Sequence, residues 1–543
     1  MITEDRTRPS VVIDREPARR QRGIDPRRIA PVLVAGVLAA VYLILSPPSL
    51  DLAAHMFRAE LFRIQGFALW NNMWYSGHDI VGYSLLFPPI SALLSPQLAA
   101  ALAATATVAV FEPLARRHFG PNAWLGSVLF GAATAVDLFT GRLAFALGAL
   151  PAVGAVLALD HRRTWVASGL ALLTALSSPV AALFLGLATA AYALGAYAGE
   201  RRLRPALPGL AVALACLGPV GLLAIAFPEG GREPFATATM VPVLLLALGA
   251  LIALPRDAWK LRAGALLYAL GTIAAYALAT PVGSNDARLG AFMAAPLAAL
   301  LWWPRRIVLL AVLALPLVYI EWHDPARDLS TAIGDPSAAS GYFEPLLDFL
   351  ERQPGPPFRT EIPFTRFHWE AYVVAPHFAL ARGWQRQLDI KDNALFYGGR
   401  LTAASYRTWL DQNAVRFVAA PDAPLDYSAQ SEIALINHGL PYLRLVMHTS
   451  HWRVYEVANA TPIVQGAAIL RAMGTDSLTM RANRPGTALI HVRFSPYWAF
   501  SQGSGCVAPA GQFSSLTIRR PGPIRLVMRF SFDRIGARSP RCS

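Results

Sequence analysis

An acid and a histidine that follow the first long apolar stretch are the first residues whose types and spacing suggest chemistry. Asp51 and His55 stand four residues apart in SPPSLDLAAHMFRAELF, residues 46–62. Side chains at positions i and i+4 share one helix face, so a helix here brings the carboxylate and the imidazole together. The pair suits a general base or a metal-anchoring carboxylate, although two ligands do not define a metal site. Asp51 could instead cap the helix by accepting backbone N–H groups, and this explanation stays open.

Two polar turns later in the chain carry arginines that could bind a phosphate. Asp137 precedes the short turn TGR, which ends at Arg142, and Asn285 and Arg288 lie in TPVGSNDARLG. A guanidinium matches the geometry of phosphate oxygens, and helix N-termini attract anions. We therefore predict that Arg142 and Arg288, with Asn285, bind a lipid-linked phosphate, and that Asp137 helps to position the acceptor. A plain Asp137–Arg142 ion pair and an ordinary polar loop are the simpler explanations.

An aromatic segment follows the Asp51 region. Trp74, Tyr75 and His78 lie in WNNMWYSGHDIVGYSLLFPP. Aromatic side chains are common at membrane interfaces, and they can also form a platform for a sugar face or a lipid tail. These three residues are therefore candidate substrate-binding residues.

The composition indicates that membrane-spanning elements position these residues. Hydrophobic residues make up 55% of the 543 residues and charged residues only 15%, whereas soluble domains average about 25% charged. The net charge of +14 does not indicate nucleic acid, because the basic residues flank apolar stretches instead of forming one aromatic-rich patch. The predicted surroundings are membrane lipids, with no nucleic-acid partner.

Eleven apolar stretches are candidates for spanning helices, several of them shorter than the usual 20 residues or so. The connections after the even-numbered stretches are all basic: ARRHFGPN, DHRRT, GERRLRP, RDAWKLR and PRR. The positive-inside rule places these connections in the cytoplasm, so the N-terminus is inside and the C-terminal part outside. The predicted units are a disordered basic cytoplasmic tail, 1–28, and a multi-pass domain, 29–320, with a large first outer loop, 48–89. The stretches are 29–47, 90–111, 123–139, 143–159, 165–178, 179–197, 206–227, 236–255, 262–280, 289–303 and 307–320.

The C-terminal part has two patterns. Residues 321–457 alternate helix-like and strand-like pieces and close with a predicted β-hairpin, YLRLVMHTSHWRVYEV, which predicts an extracytoplasmic α/β subdomain. Residues 458–543 contain short alternating strands between Gly and Pro turns, which predicts a β-sandwich-like subdomain. Cys506 and Cys542 could form one bridge there in an oxidising compartment.

Taken together, these features resemble the GT-C superfamily of integral membrane glycosyltransferases, through DLAAH, W…WYSGHDIVGYSLLFPP and the topology. GRLAFALG, PVGSN…RLG and ARGWQRQLD are similar to bacterial membrane proteins labelled 6-pyruvoyl-tetrahydropterin-synthase-related. The resemblance implies a GT-C-like α-helical membrane domain in the bacterial plasma membrane. It also implies transfer of a sugar from a polyprenyl-phosphate donor to an envelope glycan or lipid acceptor, with inversion at the anomeric carbon.

The resemblance further implies that Asp51 is the base that deprotonates the acceptor, with His55 and Asp137 as further catalytic candidates. Many members of the superfamily carry paired acids in the first loop, whereas here His55 follows Asp51. The metal requirement therefore stays open: no cofactor is firmly predicted, and a divalent metal is compatible with the pattern.

Two other functions fit the sequence. A transporter or flippase of lipid-linked sugars predicts polar, broken helices near the middle of the membrane. A non-catalytic scaffold of envelope assembly would tolerate the substitution Asp51→Asn. Most ionisable residues lie at the predicted outer ends of the helices, which favours an enzyme.

Overall fold

The computed structural model describes residues 25–543. Residues 1–24 of the predicted cytoplasmic tail lie outside the described residues. The first helix begins at Pro26, slightly earlier than expected, because the Asp25 carboxylate accepts a hydrogen bond from the backbone N–H of Arg27 and caps the helix.

A helix occupies each of the eleven predicted apolar stretches, and many of the buried contacts between these helices are made by alanines. The stretch 90–111 is wrong at its start: one short helix ends at Leu94, and Ser95, with φ 77°, caps the next. The helices are α1 (Pro26–Leu45), α2 (Leu52–Gln65), α3 (Phe87–Leu94), α4 (Pro96–Phe119), α5 (Trp124–Phe139), α6 (Leu143–Asp160), α7 (Thr164–Ser177), α8 (Pro179–Glu200), α9 (Leu207–Ala226), α10 (Thr237–Ala253), α11 (Trp259–Ala277), α12 (Ala287–Trp302) and α13 (Ile307–Ala332).

Six helical segments within residues 25–543 are long and apolar enough to cross a membrane. They are α1, the continuous segment Pro96–Phe139, α6, α8, α9 and α13. Helices α7 and α10 are apolar but shorter. The chain is therefore a multi-pass membrane protein, and the count of eleven crossings stays a prediction.

One face of the helical region, which we call the upper face, carries residues 46–95, the turn 140–142 and the loops 228–236 and 278–286. On this face α2 is followed by a short antiparallel pair, β1 (Trp70–Asn71) and β2 (His78–Asp79). The C-terminal region sits on the same face.

The first half of the C-terminal region is a mixed α/β layer around a five-stranded sheet. Strand β3 runs parallel to β4 and β5, whereas β7 runs antiparallel to β5 and β6, in the order β4-β3-β5-β7-β6. The predicted hairpin is confirmed as β6 and β7. The elements are α14 (Glu344–Glu351), β3 (Arg359–Glu361), α15 (Glu370–Val373), β4 (Ala379–Leu380), α16 (Arg386–Asp392), α17 (Ala403–Gln412), β5 (Val415–Pro421), α18 (Gln430–Asn437), β6 (Leu443–His448) and β7 (Trp452–Val457).

The second half consists of two antiparallel sheets that share one apolar core, as a β-sandwich does. The strand orders are β12-β15-β10-β9 and β16-β13-β14-β11-β8. A disulfide joins Cys506 to Cys542 across the paired strands β13 and β16. The strands are β8 (Val464–Gly466), β9 (Ala468–Met473), β10 (Ser477–Ala482), β11 (Gly486–Arg493), β12 (Trp498–Gln502), β13 (Gly505–Ala510), β14 (Phe513–Ile518), β15 (Gly522–Met528) and β16 (Arg541–Cys542).

The segment 46–95 forms part of the core of the α/β layer. Phe57 of α2 and Trp74 pack in the same apolar cluster as Trp384 and Leu388. Gly383 leaves no room for a side chain, because a Cβ there would collide with the Trp74 ring. The C-terminal region is therefore fixed directly on top of the segment that carries Asp51.

Candidate functional site

The turn between α5 and α6 packs against the start of α2. Gly141 has φ 73°, which favours glycine, and a Cβ there would collide with the Ser49 hydroxyl and approach Leu52. The carbonyl oxygen of Asp137 accepts a hydrogen bond of 2.8 Å from the backbone N–H of Arg142 and closes the turn. This close contact brings the ends of α5 and α6 next to Asp51.

Asp51 occupies the N-cap position of α2 without capping it. Its side chain accepts no hydrogen bond from the backbone N–H groups of the helix, all of which are described, so capping does not explain this residue. The carboxylate instead accepts a hydrogen bond of 3.3 Å from the indole Nε1 of Trp384. It also lies within electrostatic range of Arg288 and Arg58. The acid is half-buried and faces positive charge.

Arg288, in the first turn of α12, connects the predicted residues. It lies within electrostatic range of Asp51, Asp137 and Arg142, so the structure brings these four predicted site residues together. The simple Asp137–Arg142 ion pair is not among the ion pairs of residues 25–543. Arg142 pairs with Asp324, in the C-terminal half of α13, at a distance of 3.6 Å.

Glu233, which the sequence patterns did not single out, is a further acid of the site. Its carboxylate accepts a hydrogen bond of 3.1 Å from the Ser284 hydroxyl. Burial raises the pKa of Glu233; the Ser284 hydrogen bond opposes this shift, the negative charge of Asp51 adds to it, and Arg288 lowers the pKa. Its position follows from the loop 228–236, in which the Glu233 N–H donates to the Thr280 carbonyl.

His55 lies behind Asp51 and is completely buried. Its ring packs edge-on against Phe87, with centroids 4.8 Å apart, and Nε2 is 3.4 Å from the Tyr83 hydroxyl. Burial lowers the pKa of His55 to about 3, with Asp51 opposing and Arg58 reinforcing the shift. The imidazole is therefore neutral at pH 7.

Arg58, one helical turn after His55, is a second residue that the sequence patterns did not indicate. Its guanidinium lies 3.9 Å from the centre of the Tyr83 ring and donates a hydrogen bond of 3.1 Å to Gln385 Oε1. Burial lowers the pKa of Arg58, and the nearby Tyr83 and Asp51 oppose this shift. A basic residue on the apolar face of a predicted helix is the one signal that could have revealed it.

The predicted aromatic platform is wrong. Trp74 and Tyr75 are 0% exposed and His78 is 2% exposed, so none of them can stack on a substrate. Trp74 stacks on Phe57 at 4.2 Å, and the Tyr75 hydroxyl donates to the Gly383 carbonyl at 2.6 Å. These side chains are buried because the C-terminal region covers the segment. They fix the site without lining it.

The proposed phosphate-binding role of Asn285, and the divalent metal that the sequence left open, receive little support from the geometry. The Asn285 amide donates to the Pro281 carbonyl at 3.3 Å, so this side chain stabilises its own turn. Across the described part of the chain, no group of three or more His, Cys, Asp or Glu side chains could hold a metal ion. Asp51, Asp137 and Glu233 do not form such a group.

The arrangement combines a half-buried carboxylate with two arginines that are not fully paired. A carboxylate in this setting can accept a proton from a hydroxyl. Guanidinium groups can stabilise negative charge that develops on a departing oxygen. The site therefore suits group transfer from an anionic leaving group to a hydroxyl.

Comparison with known proteins gives distant structural similarity only. No protein-family model matches the chain, and no curated protein matches it. Among solved structures, it is similar to the archaeal oligosaccharyltransferase AglB from Archaeoglobus fulgidus, in complex with an inhibitory peptide and a dolichol-phosphate. The TM-score is 0.34 and the identity 12%, over 73% of this chain and 69% of that chain. At this distance, any functional argument rests on the side chains of the site.

Proposed function

We propose that the chain is a membrane glycosyltransferase that uses a polyprenyl-phosphate sugar donor and an envelope glycan or lipid acceptor. One observation carries the proposal: the Asp51 carboxylate, which does not cap its helix, lies with Arg288, Arg142 and Asp137 on one face of a multi-pass helical region. These residues come from α2, α12 and the α5–α6 turn. Their convergence at one point gives a base and an anion site side by side.

The upper face is proposed to face outward. The basic connections ARRHFGPN, DHRRT and GERRLRP lie on the opposite side of the helices, where the positive-inside rule expects cytoplasm. The Cys506–Cys542 disulfide lies in the C-terminal region on the upper face, and disulfides persist in oxidising compartments. Both features support an extracytoplasmic site.

The proposed reaction is a direct displacement at the anomeric carbon. Asp51 removes the proton of the acceptor hydroxyl as its oxygen forms the new bond to carbon. The bond between the anomeric carbon and the phosphate oxygen breaks, and its electron pair stays on the phosphate. Arg288 and Arg142 stabilise this charge. Attack from the face opposite the leaving group inverts the anomeric configuration.

The weak pairing of Arg142 supports its role as a phosphate ligand. Asp324 is 3.6 Å from Arg142, and it also lies 3.8 Å from Arg327 and 3.4 Å from the His323 ring. An arginine that shares its partner in this way can exchange it for a phosphate, which offers more charge and bidentate hydrogen bonds. Asp137, which lies within range of both arginines, is proposed to position the acceptor.

His55 is proposed to support the base without reacting itself. Its ring is buried against Phe87 and Tyr83 and does not face the open side of the site. A neutral imidazole on the buried face of α2 fills this space without adding a positive charge next to Arg58.

The test is transfer by the purified full chain from radiolabelled polyprenyl-phosphate sugars. We expect Asp51→Asn to lower the rate by about 10²–10⁴, the range of a general base, because an amide cannot accept the proton. The matched control is Asp348→Asn, an exposed acid of α14, which should keep the wild-type rate. Undiminished transfer by Asp51→Asn would remove Asp51 from catalysis, and no transfer by the wild type with any donor would contradict the proposed function.

A further inference from the structure

A side chain of the C-terminal region reaches the proposed base across more than 300 residues of sequence. Trp384 is buried, and its indole N–H donates to Asp51 Oδ1 at 3.3 Å. The next residue, Gln385, accepts a hydrogen bond from Arg58. The segment just before α16 therefore contacts both Asp51, at the N-cap of α2, and Arg58 within it.

His368 lies flat on the Trp384 ring. The two ring centroids are 3.3 Å apart, with an angle of 9° between the planes. His368 is fully buried, and its φ is 57°, a conformation that most residues avoid. Neither ring nitrogen has a hydrogen-bond partner among the described residues. The carboxylates of Glu370 and Asp426 lie 3.7 and 3.8 Å away.

A residue in this position carries two costs, since backbone strain and a buried ring without hydrogen bonds both destabilise a fold. Such costs concentrate at functional sites. The stacked His368 ring holds the Trp384 indole in one orientation. Arg386 adds to this, because its guanidinium lies 4.6 Å from the Trp384 ring and makes two hydrogen bonds to Asp426.

We propose that Trp384 and His368 are positioning residues for Asp51: the stacked His368 ring fixes the indole, and the indole N–H holds the Asp51 carboxylate in its reactive orientation. This inference rests on the proposed function. The hydrogen bond leaves the second carboxylate oxygen to accept a proton. A hydrogen bond donated to a carboxylate also favours its ionised form, which is the form that a base requires.

The C-terminal region thereby becomes part of the site. A productive reaction geometry requires the reacting groups to be held within a fraction of an ångström. Asp51 lies at the start of α2, and its contact with Trp384 of the C-terminal region provides this precision. The charged and titratable groups that also face Asp51 are His55, Arg58, Tyr83, Glu233 and Arg288.

The test uses two variants of the full chain and a matched control. Trp384→Phe keeps a ring on His368 but removes the N–H donor. His368→Asn removes the stacked ring and tolerates positive φ. The control is Trp409→Phe, which removes an equally buried indole N–H that donates to Asn393 Oδ1 at 2.9 Å and lies away from Asp51.

We expect the transfer rate to fall about tenfold in both variants, the effect of about one hydrogen bond. The acidic limb of the rate–pH profile should move to higher pH in both, because the carboxylate loses a stabilising donor. The double variant should be no worse than either single variant, since both act through one hydrogen bond. The control should keep the wild-type profile.

A second readout does not depend on activity. A hydrophobic carbodiimide modifies protonated carboxyl groups, and mass spectrometry of the Asp51 peptide measures the rate of its modification. We expect several-fold faster modification at mildly acidic pH in Trp384→Phe and His368→Asn than in wild type or Trp409→Phe. Equal modification in all four proteins would overturn the inference. If the wild type transfers no sugar but the variants are modified faster, the proposed function fails and the positioning of Asp51 stands.

Discussion

Two clusters of arginines and acids in this molecule differ in how completely their charges are paired. In the α/β layer, Arg382 donates to both oxygens of Asp389, at 3.1 and 2.7 Å, and to Glu432 at 3.3 Å. Glu361 lies 3.8 Å away, and all these side chains are 0% exposed. On the upper face, the only ion-pair partner of Arg142 within residues 25–543 is Asp324, 3.6 Å away. Asp51 and Arg288 are half-buried there.

The difference in charge pairing indicates that the buried cluster stabilises the fold, whereas the upper-face cluster is available for a ligand. Three acids around one arginine are more than it can neutralise, and burial raises the pKa of Glu361 and that of Glu432, the latter to about 7, with Arg382 opposing both shifts. Burial of this surplus negative charge therefore favours the protonated forms of Glu361 and Glu432. The buried cluster is closed, whereas the upper-face cluster has unused donors that an anion can take.

The largest effect should come from removing the arginine of the buried cluster. Arg382→Met leaves Asp389, Glu361 and Glu432 without their cation, and removing one partner of a buried ion pair costs about 3–5 kcal/mol. We expect the thermal midpoint and the protease resistance of the C-terminal region to fall sharply. The exposed Arg352 provides the control, since Arg352→Met should change neither. If the thermal midpoint of Arg382→Met equals that of wild type, the buried cluster does not stabilise the fold and the two clusters do not differ in this respect.

The second prediction concerns the open cluster. Arg288→Gln should lower the transfer rate about 10²–10³-fold, as the loss of a group that stabilises developing charge does, because the phosphate loses its cation. The thermal midpoint should stay close to wild type, since Arg288 makes no ion pair within 4.0 Å in the described chain. Arg444→Gln, on the exposed hairpin, should affect neither quantity. An Arg288→Gln protein with a lowered thermal midpoint but a wild-type transfer rate would reverse the assignment of the two clusters.

The third prediction concerns the pH dependence of stability at His55, an effect that is spread over several pH units. Burial lowers the pKa of His55 from 6.5 to about 3, so below pH 6.5 the unfolded chain binds a proton that the folded chain does not. Stability from this group is complete above pH 6.5 and is lost as the pH falls towards 3, by up to about 1.4 kcal/mol per pH unit. Thermal midpoints of His55→Gln should therefore fall less steeply between pH 6.5 and 4 than those of wild type.

The exposed His448 provides the control for that comparison, because His448→Gln should keep the wild-type slope. Equal slopes in wild type and His55→Gln would mean that His55 is not held neutral in the folded protein.

Much of the helical architecture could be predicted from the sequence because it depends on local properties. Apolar length alone located all eleven helices but not all of their ends. It missed the break at Ser95, which depends on one residue with positive φ, and the continuation of α4 to Phe119 and of α13 to Ala332. The hairpin β6–β7 was equally readable from its alternation of apolar and polar residues. Asp51, Arg142 and Arg288 were identifiable because charge is rare in apolar surroundings.

The remainder depends on contacts between distant parts of the chain. Trp74 and Tyr75 are of residue types that are common at membrane interfaces. They lie in the core only because the segment at Gly383 covers them. Glu233 and Trp384 enter the site through backbone contacts of their loops, which no local pattern encodes. The predicted sugar-stacking and lipid-binding roles of aromatic residues failed for the same reason.

The burial of Trp74 under Gly383 also has a consequence for biogenesis. Gly383 is synthesised roughly 300 residues after Trp74, which takes about 15–60 s at about 5–20 residues per second. During that interval the aromatic side chains of the segment 68–81 lack the cover that Gly383 and its neighbours provide. This apolar surface therefore stays uncovered for about 15–60 s, so a chaperone or the lipid surface has to shield it until the C-terminal region has been made.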